Sequence, residues 1–320
     1  MFSIPSTTQT LRRAALALAV FLLLSTGAGA QGYFETTPAT YGDQLFFFFD
    51  ARTDRVPFLT VANLAEADID VQVAYFRPDM QVVLAVDSVT LPAFGHQIIN
   101  PTSIVSVQGQ AGIAVVTPVA GDPVQAVVPP AQSGTNGVPP LFGSFTMANQ
   151  KLGSGFGQNP FARVAVDSDG NRAPDGAPVD GQNAVYQVFA ADELVIPTYF
   201  DPASLAPASD DGNRVMLAAF EDEYTDGRWN MRALPVLPLA IFHDAQGNLI
   251  TKDTISLDGV LFSDLQAIAG ATELASSGKV RFLLSGFLPP SGNFFGLFSQ
   301  SLGTFAVGQR MPGFQITPVI

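Results

Sequence analysis

The stretch from Asp43 to Leu64, "DQLFFFFDARTDRVPFLTVANL", places four phenylalanines in a row directly before an aspartate. A membrane anchor, an exposed binding patch, or a strand buried on both faces would each explain such a run. A related stretch, "DELVIPTYFDPASLAPASDDGNRVMLAAF" (Asp192 to Phe220), also opens with Asp, a polar residue and Leu, and also reaches a Phe-Asp pair. This copy contains Pro197, which is unsuited to a membrane helix. The run therefore predicts a strand with one face in a core and the other covered by an adjoining loop or module, and an exposed aromatic patch is the alternative.

Four further segments recur in the same order in the two halves of the chain. "VQVAYFRPDMQ" corresponds to "LPLAIFHDAQG", and "VDSVTLPAFGHQIINPTSI" corresponds to "KDTISLDGVLFSDLQAI". "GQAGIAVVTPV" corresponds to "SSGKVRFLLSGF", and "LFGSFTMANQKLGSGFG" corresponds to "FFGLFSQSLGTFAVG". Five collinear matches predict an internal duplication. Because the segments are short, rich in β-branched and aromatic residues, and separated by turn residues, the predicted fold is all-β with two tandem β-sandwich modules.

The order of these segments resembles that of bacterial exported Ig-like β-sandwich modules. In such modules a strand of the "FLTVANL" type leads into a hairpin like "VAYFRPDM" or "AIFHDAQG". The resemblance covers most of the chain after residue 30 and consists of generic β patterning. It implies a secreted or cell-surface role in binding or scaffolding, and it transfers no catalytic residue.

The composition divides the chain into four predicted parts. Residues 1–30 have the features of a cleaved signal peptide, with Arg12 and Arg13 before an apolar run and small residues up to Ala30. The 11-residue apolar run would be about 16 Å long as a helix, well short of the roughly 30 Å hydrocarbon core, so an uncleaved anchor is the weaker alternative. The other predicted parts are a first β-sandwich module (31–161), an Asp-, Gly- and Pro-rich linker (162–191) and a second module (192–320).

The charge balance narrows the classes of partner. The formal net charge is −13, and removal of Arg12 and Arg13 leaves 13 basic and 28 acidic residues, a net charge of −15. Such a surface repels nucleic acid and anionic lipid.

The chain has no cysteine, which excludes disulfides, thiol catalysis and Cys-based zinc sites. We expect an exported protein at the cell surface or outside the cell, with the periplasm as an alternative. Its expected partner is a cell-surface protein or a glycan, and the mature chain is expected to have no transmembrane helix.

The sequence does not contain the residue pattern of a familiar enzyme. It has no G-x-S-x-G elbow, and its two histidines, His96 and His243, occupy different positions in the two halves. We therefore predict a non-enzymatic scaffold or adhesive binding protein. An outer-membrane β-barrel is a second alternative, although 24 prolines and many continuously apolar segments argue against it.

A carbohydrate site is the first alternative function. Glu221 and Glu223 lie close in sequence to Trp229, the only tryptophan. An aromatic ring can stack on a sugar and carboxylates can bond its hydroxyl groups, so these three residues predict a ligand site for a carbohydrate-binding or carbohydrate-active protein. A solvated acidic loop is the simpler explanation.

The segment "DSDGNRAPDG" predicts a calcium site. Asp167, Asp169, Asn171 and Asp175 fall at relative positions 1, 3, 5 and 9, from which a loop can direct several oxygens to one cation. The pattern departs from an EF-hand because the glycine is at position 4 and Pro178 is at position 12. An ordinary Asp-Gly turn is the alternative, and no other cofactor is predicted.

Overall fold

The computed structural model describes residues 32–35, 41–118, 141–151, 153–166, 185–186, 188–196, 213–225, 228–269, 278–284, 286, 288–289, 291–302 and 305–317. In these residues the chain forms β-strands and very little helix, so the predicted all-β class is confirmed. The predicted signal peptide, residues 1–30, lies outside the described residues.

Strands follow one another along the chain with little helix between them. The first strands are β1 (Gly32–Glu35), β2 (Tyr41–Gly42), β3 (Gln44–Asp50), β4 (Arg55–Asn63), β5 (Ile69–Phe76), β6 (Val83–Leu91), β7 (His96–Ile99), β8 (Ala111–Pro118), β9 (Leu141–Asn149), β10 (Ser154–Gln158), β11 (Phe161–Arg163) and β12 (Ala165–Val166). The later strands are β13 (Val185–Tyr186), β14 (Glu193–Val195), β15 (Arg214–Thr225), β16 (Arg228–Ala233), β17 (Pro235–Val236), β18 (Pro238–Asp244), β19 (Leu249–Thr254), β20 (Leu257–Asp264), β21 (Gly278–Leu284), β22 (Gly292–Leu302), β23 (Phe305–Arg310) and β24 (Gly313–Thr317). A 3-10 helix (Pro101–Ser103) follows β7, and a short α-helix, α1 (Leu265–Ala269), follows β20.

Most strands belong to four open antiparallel sheets, numbered I to IV in the order in which they face one another. Sheet I has the strand order β10-β9-β4-β7, with β2 paired to β9, and sheet II has the order β11-β3-β8-β5-β6. Sheet III has the order β17-β20-β15-β22-β23, with β16 paired to β15. Sheet IV has the order β1-β24-β14-β21-β18-β19, and β12 and β13 form a separate two-stranded sheet.

The strand order repeats between the two halves of the chain. In sheet II the order β11-β3-β8-β5-β6 has the counterpart β24-β14-β21-β18-β19 in sheet IV. In sheet I the order β10-β9-β4-β7 has the counterpart β23-β22-β15-β20 in sheet III. Each of the five repeated sequence segments falls on counterpart strands, so the topology carries the duplication that the sequence predicts. Strand β1 departs from this division, because it pairs with β24 of sheet IV.

Strand β3 contains the four phenylalanines, and all seven of its residues are buried. Because successive side chains of a strand point to opposite faces, Phe47 and Phe49 lie on one side of sheet II and Phe46 and Phe48 on the other. The predicted strand with two buried faces is confirmed, and the exposed-patch explanation of this run is wrong.

One side of β3 faces sheet I. The ring of Phe47 lies 6.1 Å from that of Phe145 on β9 in an edge-to-face arrangement, and Phe49 lies 5.7 Å from Tyr75 on β5. Strand β4 contributes further buried apolar side chains to this cluster. The interior between sheets I and II is therefore filled by alternate residues of β3, β4, β5 and β9.

The other side of β3 faces sheet III. The ring of Phe46 stacks on Phe220 at 5.4 Å, and Phe48 lies 5.6 Å from Phe295. Phe295 is the centre of this aromatic cluster, since its ring also lies 4.4 Å from Phe161. These contacts join residues from both halves into one hydrophobic cluster. The face of sheet II for which the sequence predicts a covering loop or module is covered by a sheet of the second half.

Sheet III is also buried on both faces. On β15, Met216 and Ala218 belong to the cluster shared with sheet II, whereas Leu217 belongs to a second cluster. That second cluster includes Phe242 and Phe282 of sheet IV. The sheets therefore face one another in the order I, II, III, IV, with II and III inside.

Arg163 lies in the interior, with 1% of its surface exposed. Its Nε donates a hydrogen bond to Oε1 of Gln44 at 3.0 Å, and the guanidinium lies 4.8 Å from the centre of the Phe46 ring. Arg163 and the buried Phe189 both fall in the predicted linker, residues 162–191. Both ends of that segment are thus packed into the core, whereas 167–184 lie outside the described residues.

Asp50, at the end of β3, is fully buried among three arginines. Arg52 donates from Nε and Nη2 to the two carboxylate oxygens, each at 2.8 Å. Nε of Arg55 lies 3.3 Å from Oδ2, and Nη1 of Arg214 donates to Oδ2 at 3.1 Å. Burial opposes ionisation of Asp50, but the hydrogen bonds and charge of Arg52, with the charges of Arg55 and Arg214, outweigh it and lower the pKa of Asp50. Because Arg214 begins β15, this cluster links sheet II to sheet III.

Candidate functional site on the outer face of sheet I

Sheet I has an inner face in the core and an outer face towards solvent. Leu59 and Val61 of β4 and Phe145 of β9 belong to the core, so the residues that alternate with them point outward. We call the outward residues of this sheet the sheet I face. They are Tyr41, Val56, Phe58, Thr60, Ala62, His96, Ile98, Phe142, Ser144, Thr146, Ala148, Gly155 and Gly157.

Large apolar side chains are exposed across the sheet I face. Ile98 is 63% exposed, Tyr41 is 48% exposed, and Phe58 and Phe142 are each 38% exposed. Tyr41 is the ladder partner of Phe142, and Ile98 is the partner of Thr60. The exposed groups thus lie on neighbouring strands, and a contiguous apolar surface of this kind is typical of an interaction site.

The sheet I face carries no Asp, Glu, Lys or Arg among the described residues that form it. Its polar groups are the hydroxyls of Tyr41, Thr60, Ser144 and Thr146 and the imidazole of His96. This composition contrasts with the chain as a whole, which has 28 acidic residues. A neutral face with hydroxyl donors and acceptors suits contact with a neutral or weakly polar surface.

The backbone holds the sheet I face rigidly. Strand β4 pairs with β9 over nine residue positions and with β7 on its other side. On β9, a Cβ added to Gly143 would lie 2.7 Å from the carbonyl oxygen of Thr60 and 3.0 Å from the ring of Phe47. A side chain at Gly143 would therefore push apart the strands that carry the face.

The duplication gives each position of this face a counterpart on sheet III. The segments "LFGSF" of β9 and "FFGLF" of β22 align at their glycines, and the ladders of the two sheets extend this alignment to the neighbouring strands. The resulting pairs, sheet I residue first, are Phe142 and Phe295, Ser144 and Leu297, Thr60 and Met216, Ala62 and Ala218, His96 and Val260, and Ile98 and Phe262. On sheet III these positions pack against sheet II. The sheet I face is thus the exposed copy of a face that the protein buries elsewhere.

The sequence does not single out this face, because β4 reads "VPFLTVAN" and has no clean alternation of apolar and polar residues. Phe58 and Leu59 are adjacent and apolar, yet one is 38% exposed and the other is buried. A comparison of the two copies would have given a signal. Ser144 stands where the second copy has Leu297, and this change to a polar residue is expected of a face that is not covered.

The predicted carbohydrate residues lie on the hairpin of β15 and β16. Glu221 pairs in the ladder with Arg232, and Nε of Arg232 donates to Oε2 of Glu221 at 2.6 Å. The same ladder places Glu223 opposite Asn230 and Trp229 opposite Tyr224. Glu221 is thus engaged in an ion pair, and the carbohydrate hypothesis for these residues stays a prediction.

The predicted calcium residues Asp167, Asp169, Asn171 and Asp175 lie outside the described residues, so that site also stays a prediction. Within the described residues, no group of three or more His, Asp or Glu side chains is arranged to hold a metal ion. His96 is exposed on the sheet I face, and His243 is partly buried near the end of β18. No helix in the described part of the chain is both long and apolar enough to span a membrane.

Comparison with known proteins adds little to this geometry. No protein-family model matches the chain, and no curated protein matches it. Among solved structures, a similar one is a glycosyl hydrolase family 2 member from Bacteroides cellulosilyticus, with 10% sequence identity and a TM-score of 0.17. The match covers 88% of this chain and 30% of that one. A TM-score of this size does not show a shared fold.

Proposed function

We propose that the protein is an exported, non-enzymatic binding protein made of two tandem Ig-like β-sandwich modules. Sheets I and II form the first sandwich, and sheets III and IV form the second. The protein serves as a scaffold or adhesive component at the cell surface or outside the cell, and the sheet I face is its docking surface. The observation that carries this proposal is the exposed, uncharged and partly aromatic sheet I face on an otherwise acidic chain.

The chemistry of the sheet I face supports binding. Its exposed rings and aliphatic groups release ordered water when they are covered, and this gain is proportional to the apolar area removed from water. Aromatic residues are also enriched in protein interfaces, where Tyr offers both apolar area and a hydroxyl group. Tyr41, Phe58 and Phe142 supply this combination on one rigid sheet.

The outer face of sheet IV is a poorer docking surface for an apolar partner. Nη1 of Arg281 donates to Oε1 of Glu193 at 3.3 Å, and the Glu193 side chain is 5% exposed. Lys279 lies on the same face, two residues before Arg281. Covering the exposed Lys279 and the partly exposed Arg281 with an apolar surface would remove their charges from water at a cost in free energy. The two ends of the stack of sheets therefore differ in what they can bind.

Site-specific photo-cross-linking in cells of the native host tests the proposed docking surface. A benzophenone amino acid replaces Phe142 in one variant and Leu249, which is 56% exposed on β19 of sheet IV, in a matched control. We expect irradiation to give a discrete cross-linked product from the Phe142 variant and little or none from the Leu249 variant. Equal cross-linking from both positions, or none from either, would contradict the proposed role of the sheet I face.

Fractionation of the same cells tests the proposed location. We expect the protein in the medium or the cell envelope, with a shortened N-terminus that mass spectrometry of the isolated chain can define. Recovery of the full-length chain in the cytosol would contradict an exported binding protein.

A further inference from the structure

We propose that the sheet I face docks against the same face of a second copy of this chain, giving a dimer with two-fold symmetry. This inference rests on the proposed function, since it names the partner of the same docking surface. Its basis is the charge of the chain, the internal contact between sheets II and III, and the size of the face.

Charge favours self-association through this face. Two copies of a chain with a net charge of −13 or below repel each other, and close contact between like charges is destabilising. The sheet I face has no ionisable carboxylate among its described residues, and its exposed groups include Ile98 and Phe142. Two such faces can therefore meet without burying like charges, which keeps the acidic surfaces of the two copies at the periphery.

The internal contact shows what this kind of face packs against. The counterpart of the sheet I face is the face of sheet III that carries Met216 and Phe295, and it is covered by sheet II of the same chain. The covering surface is itself a β-sheet, and it contributes Phe46 and Phe48. The occupant of the sheet I face is accordingly expected to be another sheet with aromatic side chains, and a second sheet I face has Tyr41, Phe58 and Phe142.

A head-to-tail contact with sheet IV of the next copy is disfavoured. Within the chain, sheet II packs against sheet III. Because sheet IV is the counterpart of sheet II and sheet I is the counterpart of sheet III, the same kind of contact between two copies would place sheet IV of one copy against the sheet I face of the next. However, where sheet II has Ile113 and Val115 on β8, the corresponding positions of sheet IV are Lys279 and Arg281 on β21. An apolar cover would desolvate those charges without a new partner. The contact therefore closes on itself as a dimer instead of propagating as a filament.

The size of the face is sufficient for a specific contact. Strands β4 and β9 each have nine residues, which corresponds to about 30 Å of length at roughly 3.4 Å per residue. The other strands, β2, β7 and β10, are shorter, with two, four and five residues, so at a spacing of about 4.8 Å between strands the flat area is on the order of 500 Å². A standard interface buries about 800 Å² on each partner, and side-chain relief adds to the flat area. Because the face also carries hydroxyl groups, it suits a dimer of moderate affinity and not an obligate dimer.

Sedimentation analysis of the mature chain tests this inference. We expect a monomer–dimer equilibrium with a dissociation constant in the micromolar range, about 1 to 100 μM, which tightens as added salt screens the acidic periphery. Ile98→Glu places a charge in the contact and should weaken the dimer at least about 100-fold. Leu249→Glu is the matched control on sheet IV, because both residues are exposed aliphatics on edge strands, and it should leave the equilibrium unchanged.

Cross-linking distinguishes a two-fold contact from other arrangements. The chain has no cysteine, so Ser144→Cys introduces a single thiol on the central strand β9 of the sheet I face. Because residues near a two-fold axis meet their own copies, a short bismaleimide should join two Ser144→Cys chains, whereas Leu249→Cys chains should stay separate. Circular dichroism of each variant checks that it is folded.

The outcomes separate this inference from the proposed function. A monomer at about 100 μM, or a dimer that survives Ile98→Glu, overturns the self-association of the sheet I face. If the chain is monomeric but photo-cross-linking at Phe142 still captures a different protein or a glycan, the docking surface stands and its partner is not a second copy. If neither contact occurs, both proposals fail.

Discussion

Tyr75 lies in the core between sheets I and II, and its hydroxyl has no hydrogen-bond partner among the described residues. Its ring packs edge-to-face on Phe49 at 5.7 Å. Burial, with the charge of Asp87 as a smaller cause, raises the pKa of Tyr75 above its ordinary value. The ring therefore contributes packing, whereas the hydroxyl contributes a desolvation cost.

We expect Tyr75→Phe to raise the free energy of unfolding by about 1 kcal/mol, because it removes a buried polar group and keeps the ring. The parent protein should also lose stability above about pH 10, where the unfolded chain ionises this phenol more readily than the folded one does. The variant should lack this part of the alkaline loss. Urea titrations at pH 7 and above pH 10 check both effects, and Tyr41→Phe, at an exposed position, is the control. A loss of stability in Tyr75→Phe would show that the hydroxyl has a partner, such as a bound water.

At the scale of elements, the duplication places identical residues in opposite environments. Phe295 on β22 is 1% exposed at the centre of the contact between sheets II and III, and its counterpart Phe142 on β9 is 38% exposed. We expect Phe295→Ala to lower the free energy of unfolding by about 3 to 5 kcal/mol through loss of burial and creation of a cavity. We expect Phe142→Ala to change it by less than about 1 kcal/mol. Denaturant titrations at low protein concentration check this pair, and similar losses for both variants would mean that the sheet I face is covered within the monomer.

Most of the longer strands were predictable from the sequence because their segments recur in the same order in the two halves. A single segment such as "GIAVVTPV" is compatible with several structures. Its match to "KVRFLLSGF" at the same place in the second copy indicates that both segments form the corresponding strand of their half. The pairing of sheets II and III was not predictable in detail. It depends on Phe46 and Phe48 meeting Phe220 and Phe295, which are far apart in sequence and lie on the covered faces of β3, β15 and β22. The sheet I face cannot be recognised in the sequence because Phe58 and Leu59 are equally apolar, and only the sheet geometry shows that Phe58 points outward and Leu59 inward.

At the scale of the whole molecule, Asp50 and Arg214 join sheet II to sheet III across the contact between the halves. We expect Asp50→Asn to lower the free energy of unfolding by about 3 to 5 kcal/mol, because three arginines lose their shared carboxylate. Since the pKa of Asp50 is lower in the folded protein, its stabilising effect is complete above about pH 4 and is lost as the pH falls through the folded value. The variant should therefore lose less stability than the parent over that acidic range.

Denaturant titrations at a series of pH values between about 2 and 7 check this effect, with Asp79→Asn as the control. Asp79 pairs with Arg77 at 3.6 Å, and both side chains are more than 40% exposed, so this change should cost no more than about 1 kcal/mol. Equal effects of the two substitutions would show that the buried cluster does not hold the halves together.

The pairing of β1 with β24 has a consequence for the order in which the protein can be assembled. A ribosome makes residues 32–35 well before residues 313–317, so β1 has to wait until the described strands between them have been made before its hydrogen-bonding partner exists. Sheets I and II can form from the chain that precedes residue 164, but the ladder of β1 and β24 closes a loop that contains all the other described strands, which is slow and entropically costly. Completion of sheet IV is therefore a late event in folding. Until it occurs, β1 is an unpaired strand that a chaperone or another nascent chain can bind.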